Sequence, residues 1–105
     1  MNTAALQSLK SGRFFEEWEG FVSRGNIDSS ELELQRLVDR LIESGPMTEE
    51  TTARSLVDET VKKFNDLNDG WIVTIEREGI CEKIYDILDA AGFEPDEDWF
   101  SEREW

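Results

Sequence analysis

Apolar residues recur along this chain at helical spacing and trace four stripes. The first joins Leu6 and Leu9 to Phe14, Trp18, Phe21 and Val22 and ends near Arg24-Gly25. Within it, Gly12-Arg13-Phe14-Phe15 reads as a slightly weakened stretch of helix rather than a boundary. The second stripe is the most regular, with Leu34, Leu37, Val38, Leu41 and Ile42 at i, i+3, i+4, i+7 and i+8. Ser30 and Glu33 stand as a capping box before it, and Gly45-Pro46 stops it. The third runs through Ala53, Leu56, Val57, Val61, Phe64 and Leu67. Thr48 is its predicted cap, Glu49 and Glu50 fall in its first turn, and the turn Asn68-Asp69-Gly70 follows it. The fourth carries Ile80, Ile84, Ile87, Leu88 and Ala91. Gly92 suits its left-handed stop, with Phe93 closing on Leu88 and Pro95 just beyond.

One stretch breaks the pattern. In "NDGWIVTIE", residues 68–76, the run Trp71 to Ile75 looks like a strand among helices. Glu76 and Arg77 interrupt the fourth stripe, so that helix is predicted to begin between Thr74 and Glu78, after an extended Trp71-Ile72-Val73. Extended backbone needs partners for its N–H and C=O groups. A partner is suggested by a second copy of the pattern G-x-I-x-x-x-E, at Gly25–Glu31 and again at Gly70–Glu76. Both copies lie between an apolar-striped helix and the next. Triplets around Ile27 and Ile72 would pair as a minimal antiparallel ladder.

This arrangement resembles the EF-hand, the helix–loop–helix unit of calmodulin and its relatives. In that family the glycine makes the sharp turn, the apolar residue two later joins two loops, and the last glutamate clamps calcium. The resemblance covers roughly residues 14–92 and implies an all-α, four-helix EF-hand-like pair with a two-stranded bridge between its loops. Aligning Gly70 with the turn glycine places Asn65, Leu67, Asp69 and Glu76 at the side-chain ligand positions, with the Trp71 carbonyl between them. Leu67 is no ligand. The first loop aligns Gly20, Val22 and a cationic Arg24 there. The implied picture is therefore two degenerate hands that keep the scaffold without the ion. A weak calcium or cation sensor using Asn65, Asp69 and Glu76 is the alternative. The all-helical pattern by itself is also similar to the TerB-like domain of the tellurite-resistance family.

Length and composition change this picture little. The 105 residues suit one domain, with 38% hydrophobic residues and enough aromatics to fold. Cys81 is the single cysteine, so the chain forms no internal disulfide. No apolar run reaches the roughly 18 to 20 residues of a membrane span, and the start MNTAALQSLKSG lacks a signal-like apolar core. A cytoplasmic protein is expected, with no membrane association.

Charge changes it more. The net charge is −14, unevenly spread: −3 over residues 1–46, −3 over 47–70 and −8 over 71–105. Direct nucleic acid binding is disfavoured, because it needs basic groups to displace counterions. A basic protein partner is favoured by the same balance. Catalysis finds little support. Histidine is absent, Cys81 has no nameable base, and no phosphate-cradling or other cofactor motif occurs.

Residues 94–105, EPDEDWFSEREW, form an acidic aromatic tail to a helical domain over 1–93. Six carboxylates surround Trp99, Phe100 and Trp105. These rings are costly to expose. They either fold into the groove between the protein's own helices or dock into a partner's apolar pocket, which makes them the candidate partner-binding residues. The sequence thus reads as a small acidic interaction or regulatory protein without catalytic activity or cofactor, contacting its partner through an interhelix groove and this tail. An acidic inhibitor that mimics nucleic acid is a further reading.

Overall fold

The computed structural model describes residues 3–45 and 47–105. The described residues form four α-helices: α1 (Thr3–Ser11), α2 (Arg24–Ser44), α3 (Glu50–Leu67) and α4 (Thr74–Ala90). Short 3-10 turns lie between α1 and α2 at Glu16–Trp18 and after α4 at Glu97–Phe100. There is no strand among the described residues. No helix among them is long and apolar enough to cross a membrane.

The all-helical expectation holds, but the first half of the chain is divided differently. α1 stops at Ser11, and Gly12 leads into an irregular connection that runs to Ser23. Phe14, Phe15 and Trp18 are buried from this connection, not from a helix face. The cause lies far away in sequence. The Glu31 carboxylate, itself only 7% exposed, accepts hydrogen bonds from the Phe14 and Phe15 amides at 2.8 and 3.2 Å. Those amides are satisfied by a side chain on α2 and need no helix of their own.

α2 in turn begins well before Ser30. Ser23 caps it, its Oγ accepting from the Asn26 amide at 3.3 Å. Ser30 is an interior, fully buried position, and Glu33 pairs with Arg36 at 2.8 Å instead of closing a capping box. Ile27, Ser30, Glu31 and Leu34 all lie on the buried face. The proposed Ile27–Ile72 bridge is therefore corrected. Ile27 lies inside a continuous helix, whose amides already bond within the helix, so it offers Ile72 no strand edge. The first G-x-I-x-x-x-E copy is helical throughout, so the first loop of an EF-hand-like pair is not formed.

Ile72 finds other partners. Asn68 Oδ1 accepts from the Gly70 amide at 3.0 Å and from the Ile72 amide at 3.1 Å. Glu76 Oε1 accepts from the Val73 amide at 3.0 Å, capping the start of α4. Two side chains thus do for residues 70–73 what a neighbouring strand would have done. Gly70, at φ +104°, supplies the left-handed turn.

The later stops follow expectation. Gly45 ends α2 at φ +89°, while Pro46 lies outside the described residues. Thr48 is not the cap of α3; its hydroxyl donates to the Gly45 carbonyl at 2.6 Å, and Glu49 holds the cap position. Gly92 closes α4 as a Schellman motif. The Phe93 amide donates to Leu88 O and the Gly92 amide to Asp89 O, both at 2.9 Å.

α2 packs most extensively on α3, and α1 bridges α2 and α4. The core gathers Leu6 of α1, Leu34 and Leu41 of α2, Val57 and Phe64 of α3, and Ile80 and Ile84 of α4, all fully buried. Trp18 fastens the first connection to this body. It stacks on Phe15 at 4.0 Å, meets Trp71 edge-on at 5.9 Å, and lies against Gly79 of α4. A Cβ at Gly79 would come within 3.3 Å of the indole, which accounts for a glycine in mid-helix despite its cost of about 1 kcal/mol relative to alanine.

Candidate partner-binding surface

The acidic aromatic tail folds back on its own domain. Trp99, Phe100 and Trp105 are 2%, 6% and 9% exposed, too little to serve as a free contact surface. Trp99 lies beneath the Arg54 guanidinium of α3, at 4.9 Å from the ring centroid. Phe100 meets Tyr85 of α4 at 5.4 Å, and Trp105 meets Phe64 of α3 at 5.9 Å. Asn65 holds the last residues with both ends of its amide. Its nitrogen donates to Glu102 O at 2.9 Å and Glu104 Oε2 at 3.0 Å, and its oxygen accepts from the Glu104 amide at 3.0 Å.

Two of the three candidate cation ligands are therefore engaged elsewhere. Asn65 is committed to the tail, Glu76 to the Val73 amide, and Asp69 stands exposed on the turn. Among the described residues, no group of three or more His, Cys, Asp or Glu is placed to hold a metal ion.

Cys81 is half-buried on α4 and accepts a hydrogen bond from Arg103 Nη1 at 3.2 Å. Burial pushes its thiol above the ordinary range, and the nearby guanidinium only partly opposes this. A small hollow of about 280 Å³ lies beside it, lined by Cys81, Tyr85, Glu97, Phe100 and Arg103. Such a thiol is poorly ionised near neutral pH and makes a weak nucleophile.

A larger cleft of about 680 Å³ separates α2 and α3. Leu37 and Leu56 line its apolar part, and charges of both signs surround them. Arg36 pairs with Glu33, and Arg40 with Glu59 across the cleft. This is the interhelix groove nearest to the one expected. Its rim is largely self-neutralised, so it presents no strong field of one sign to a partner.

The outer face of α4 differs. Glu78, Glu82, Asp86 and Asp89 recur at i, i+4, i+8 and i+11, and all four are exposed. None has a cation within 4.0 Å among the described residues, as judged from the ion pairs that do form. Ile80, Ile84, Ile87 and Leu88 occupy the opposite face and hold it in the core. Beyond Gly92 the exposed carboxylates continue with Glu94, Glu97 and Asp98. Like charges at i, i+4 destabilise a helix by about 0.2–0.5 kcal/mol per pair. The stripe thus works against the stability of its own helix.

The stripe is visible in the sequence as a 4-4-3 spacing of acidic residues that interleaves with the isoleucines, although the regional charge balance alone does not reveal it. Glu31 gave no such signal, because its amide partners lie 16 and 17 residues away. No family model, no curated protein and no solved structure matches this chain.

Proposed function

We propose that this is a small acidic interaction protein that regulates a basic protein partner by binding it, without chemistry of its own. The observation that carries the reading is the exposed Glu78–Asp89 stripe on α4, four carboxylates with no ion-pair partner among the described residues. A rigid helix anchored by buried isoleucines presents them in fixed register. Complementary charge steers encounter and selects partners more than it adds raw affinity. The tail contributes by support: with its rings buried, it braces α3 and α4 behind the acidic face.

The reading is tested by capturing proteins from the native host on the immobilised chain at low salt, eluting with rising salt, and identifying them by mass spectrometry. A basic protein retained at low salt and released by high salt supports it. Retention of nothing beyond a blank matrix, or of a partner indifferent to salt, counts against it.

The geometry of the stripe favours a narrower version, an inhibitor that imitates nucleic acid. Four residues of helix rise about 6 Å, close to two phosphates of a strand at about 3.4 Å each. Under this version, duplex DNA or RNA displaces the protein from its captured partner.

A further inference from the structure

Five large hydrophobic side chains stand exposed among the described residues: Phe21, Leu32, Met47, Val73 and Ile75. Three of them lie on, or one residue past, two connections that the fold brings together. Phe21 sits on the turn after Trp18, where its amide and that of Val22 donate to the Trp18 carbonyl at 3.2 and 3.1 Å. Val73 and Ile75 sit where the α3–α4 connection enters α4. Trp18 joins the two, through its edge-on contact with Trp71 and its packing against Gly79. Ile75 precedes Gly79 by one helical turn on the same face of α4. Phe21 thus follows Trp18 by three residues, Val73 follows Trp71 by two, and Ile75 stands one turn before the glycine that Trp18 covers, at 56%, 57% and 64% exposure.

We infer that this Phe21–Val73–Ile75 patch is the apolar anchor of a docking surface for a cationic protein, one that presents apolar side chains ringed by lysine and arginine. The inference rests on the preceding reading that a basic protein is the partner, and it names where that partner seats. Tight interfaces place a few apolar anchors inside a polar rim. Here the rim is acidic. Glu16 stands beside Trp18, Asp69 precedes Trp71, and Glu78 and Glu82 follow Ile75 up α4, all exposed.

The local cations are mostly committed: Arg24 to Glu19 and Asp28, and Lys83 to Glu17. Charge also selects among occupants. At −14, a second copy of this chain, a nucleic acid or an anionic lipid surface is repelled, whereas a lysine- and arginine-rimmed protein surface is drawn in.

Nuclear magnetic resonance titration of the isotope-labelled chain tests this with two synthetic peptides of equal positive charge. One is an amphipathic lysine–leucine helix; the other has serine in place of every leucine. The leucine peptide is expected to bind at least about 10-fold more tightly. Its largest shifts should fall on Phe21, Trp71, Val73, Ile75 and Glu78. The double variant Phe21→Ser, Ile75→Ser, checked for native fold by circular dichroism, should lower its affinity to that of the serine peptide. Equal affinities for the two peptides, or shifts centred on the α2–α3 cleft or spread evenly over the acidic surface, would overturn the patch while leaving a cationic partner intact. Failure of both peptides to bind at low salt would count against the patch and the cationic-partner reading together.

Discussion

Glu31 and Glu76 end the same sequence pattern and do different work. Glu76 reaches back three residues to the Val73 amide and starts a helix. Glu31, about two turns inside α2, reaches across to the Phe14 and Phe15 amides and fixes a connection. Arg13 Nε approaches the same carboxylate at 3.6 Å. Glu31→Ala leaves two amides without acceptors in a buried place. Each costs about 1–3 kcal/mol, so urea unfolding should show a loss of roughly 3 kcal/mol. A loss below about 0.5 kcal/mol, typical of a surface site, would show that the carboxylate does not hold the connection.

Its neighbour Ser30 predicts the opposite sign. The Ser30 hydroxyl is buried with no hydrogen-bond partner among the described residues. Ser30→Ala removes an unsatisfied polar atom and improves helix propensity, so it should stabilise by about 0.5–1 kcal/mol in the same assay. Were Ser30 the N-cap that its sequence suggests, the same change would instead cost about 1 kcal/mol.

At the scale of elements, α4 trades stability for its charged face. Glu82→Lys turns two repulsive i, i+4 relations, with Glu78 and Asp86, into attractive ones. It should raise the thermal midpoint at low salt, a gain of up to about 1 kcal/mol that fades in concentrated salt. An unchanged or lowered midpoint at low salt would mean that the four carboxylates do not strain the helix.

The tail is an element of the same kind, held at its end by one residue. Asn65→Ala removes three hydrogen bonds, so the amides of residues 102–105 should exchange hydrogen faster, while those of α2 keep their protection. Equal protection throughout would place the hold on Trp105 and Phe64 instead.

The elements also show what could be read in advance. α3, α4 and the Gly92 stop were legible because their apolar periodicity and the turn residues that end them lie within a few residues of one another, although Glu49 and not Thr48 holds the cap position of α3. The stretch from Phe14 to Val22 was not. Its apolar spacing of four, three and one matches a helix as well as it matches a wrapped connection, and the deciding contact comes from Glu31. The start of α2 was hidden by Ser30-x-x-Glu33, a local match to a capping box that burial of Ser30 overrides. Trp71-Ile72-Val73 lies outside the helices, with Val73 extended at φ −112° and ψ −169°, but its amide partners are side chains of Asn68 and Glu76, not another strand. Of the candidate surface, the acidic stripe lay open in the sequence. The cost of exposing Trp99, Phe100 and Trp105 allows burial on this chain or on a partner, and deciding between the two required knowing that Arg54, Tyr85, Val61 and Asn65 come together around them.

For the whole molecule, the balance of −14 and its arrangement matter separately. A uniformly acidic surface would bind any cation weakly and keep the protein soluble. A stripe in fixed register beside an apolar patch discriminates by position. The two possibilities are separated by charge reversals of equal size in different places. One variant carries Glu78→Lys, Glu82→Lys and Asp86→Lys on α4. The other carries Glu43→Lys, Asp66→Lys and Glu102→Lys, exposed positions on α2, α3 and the tail. Both change the net charge by the same amount. The measurement is the affinity of each for the basic protein captured by the wild-type chain, by calorimetry at low salt. The expected result is a loss on the order of 100-fold for the α4 variant and less than about 10-fold for the other. Equal losses from both, or none from the α4 variant, would contradict the account.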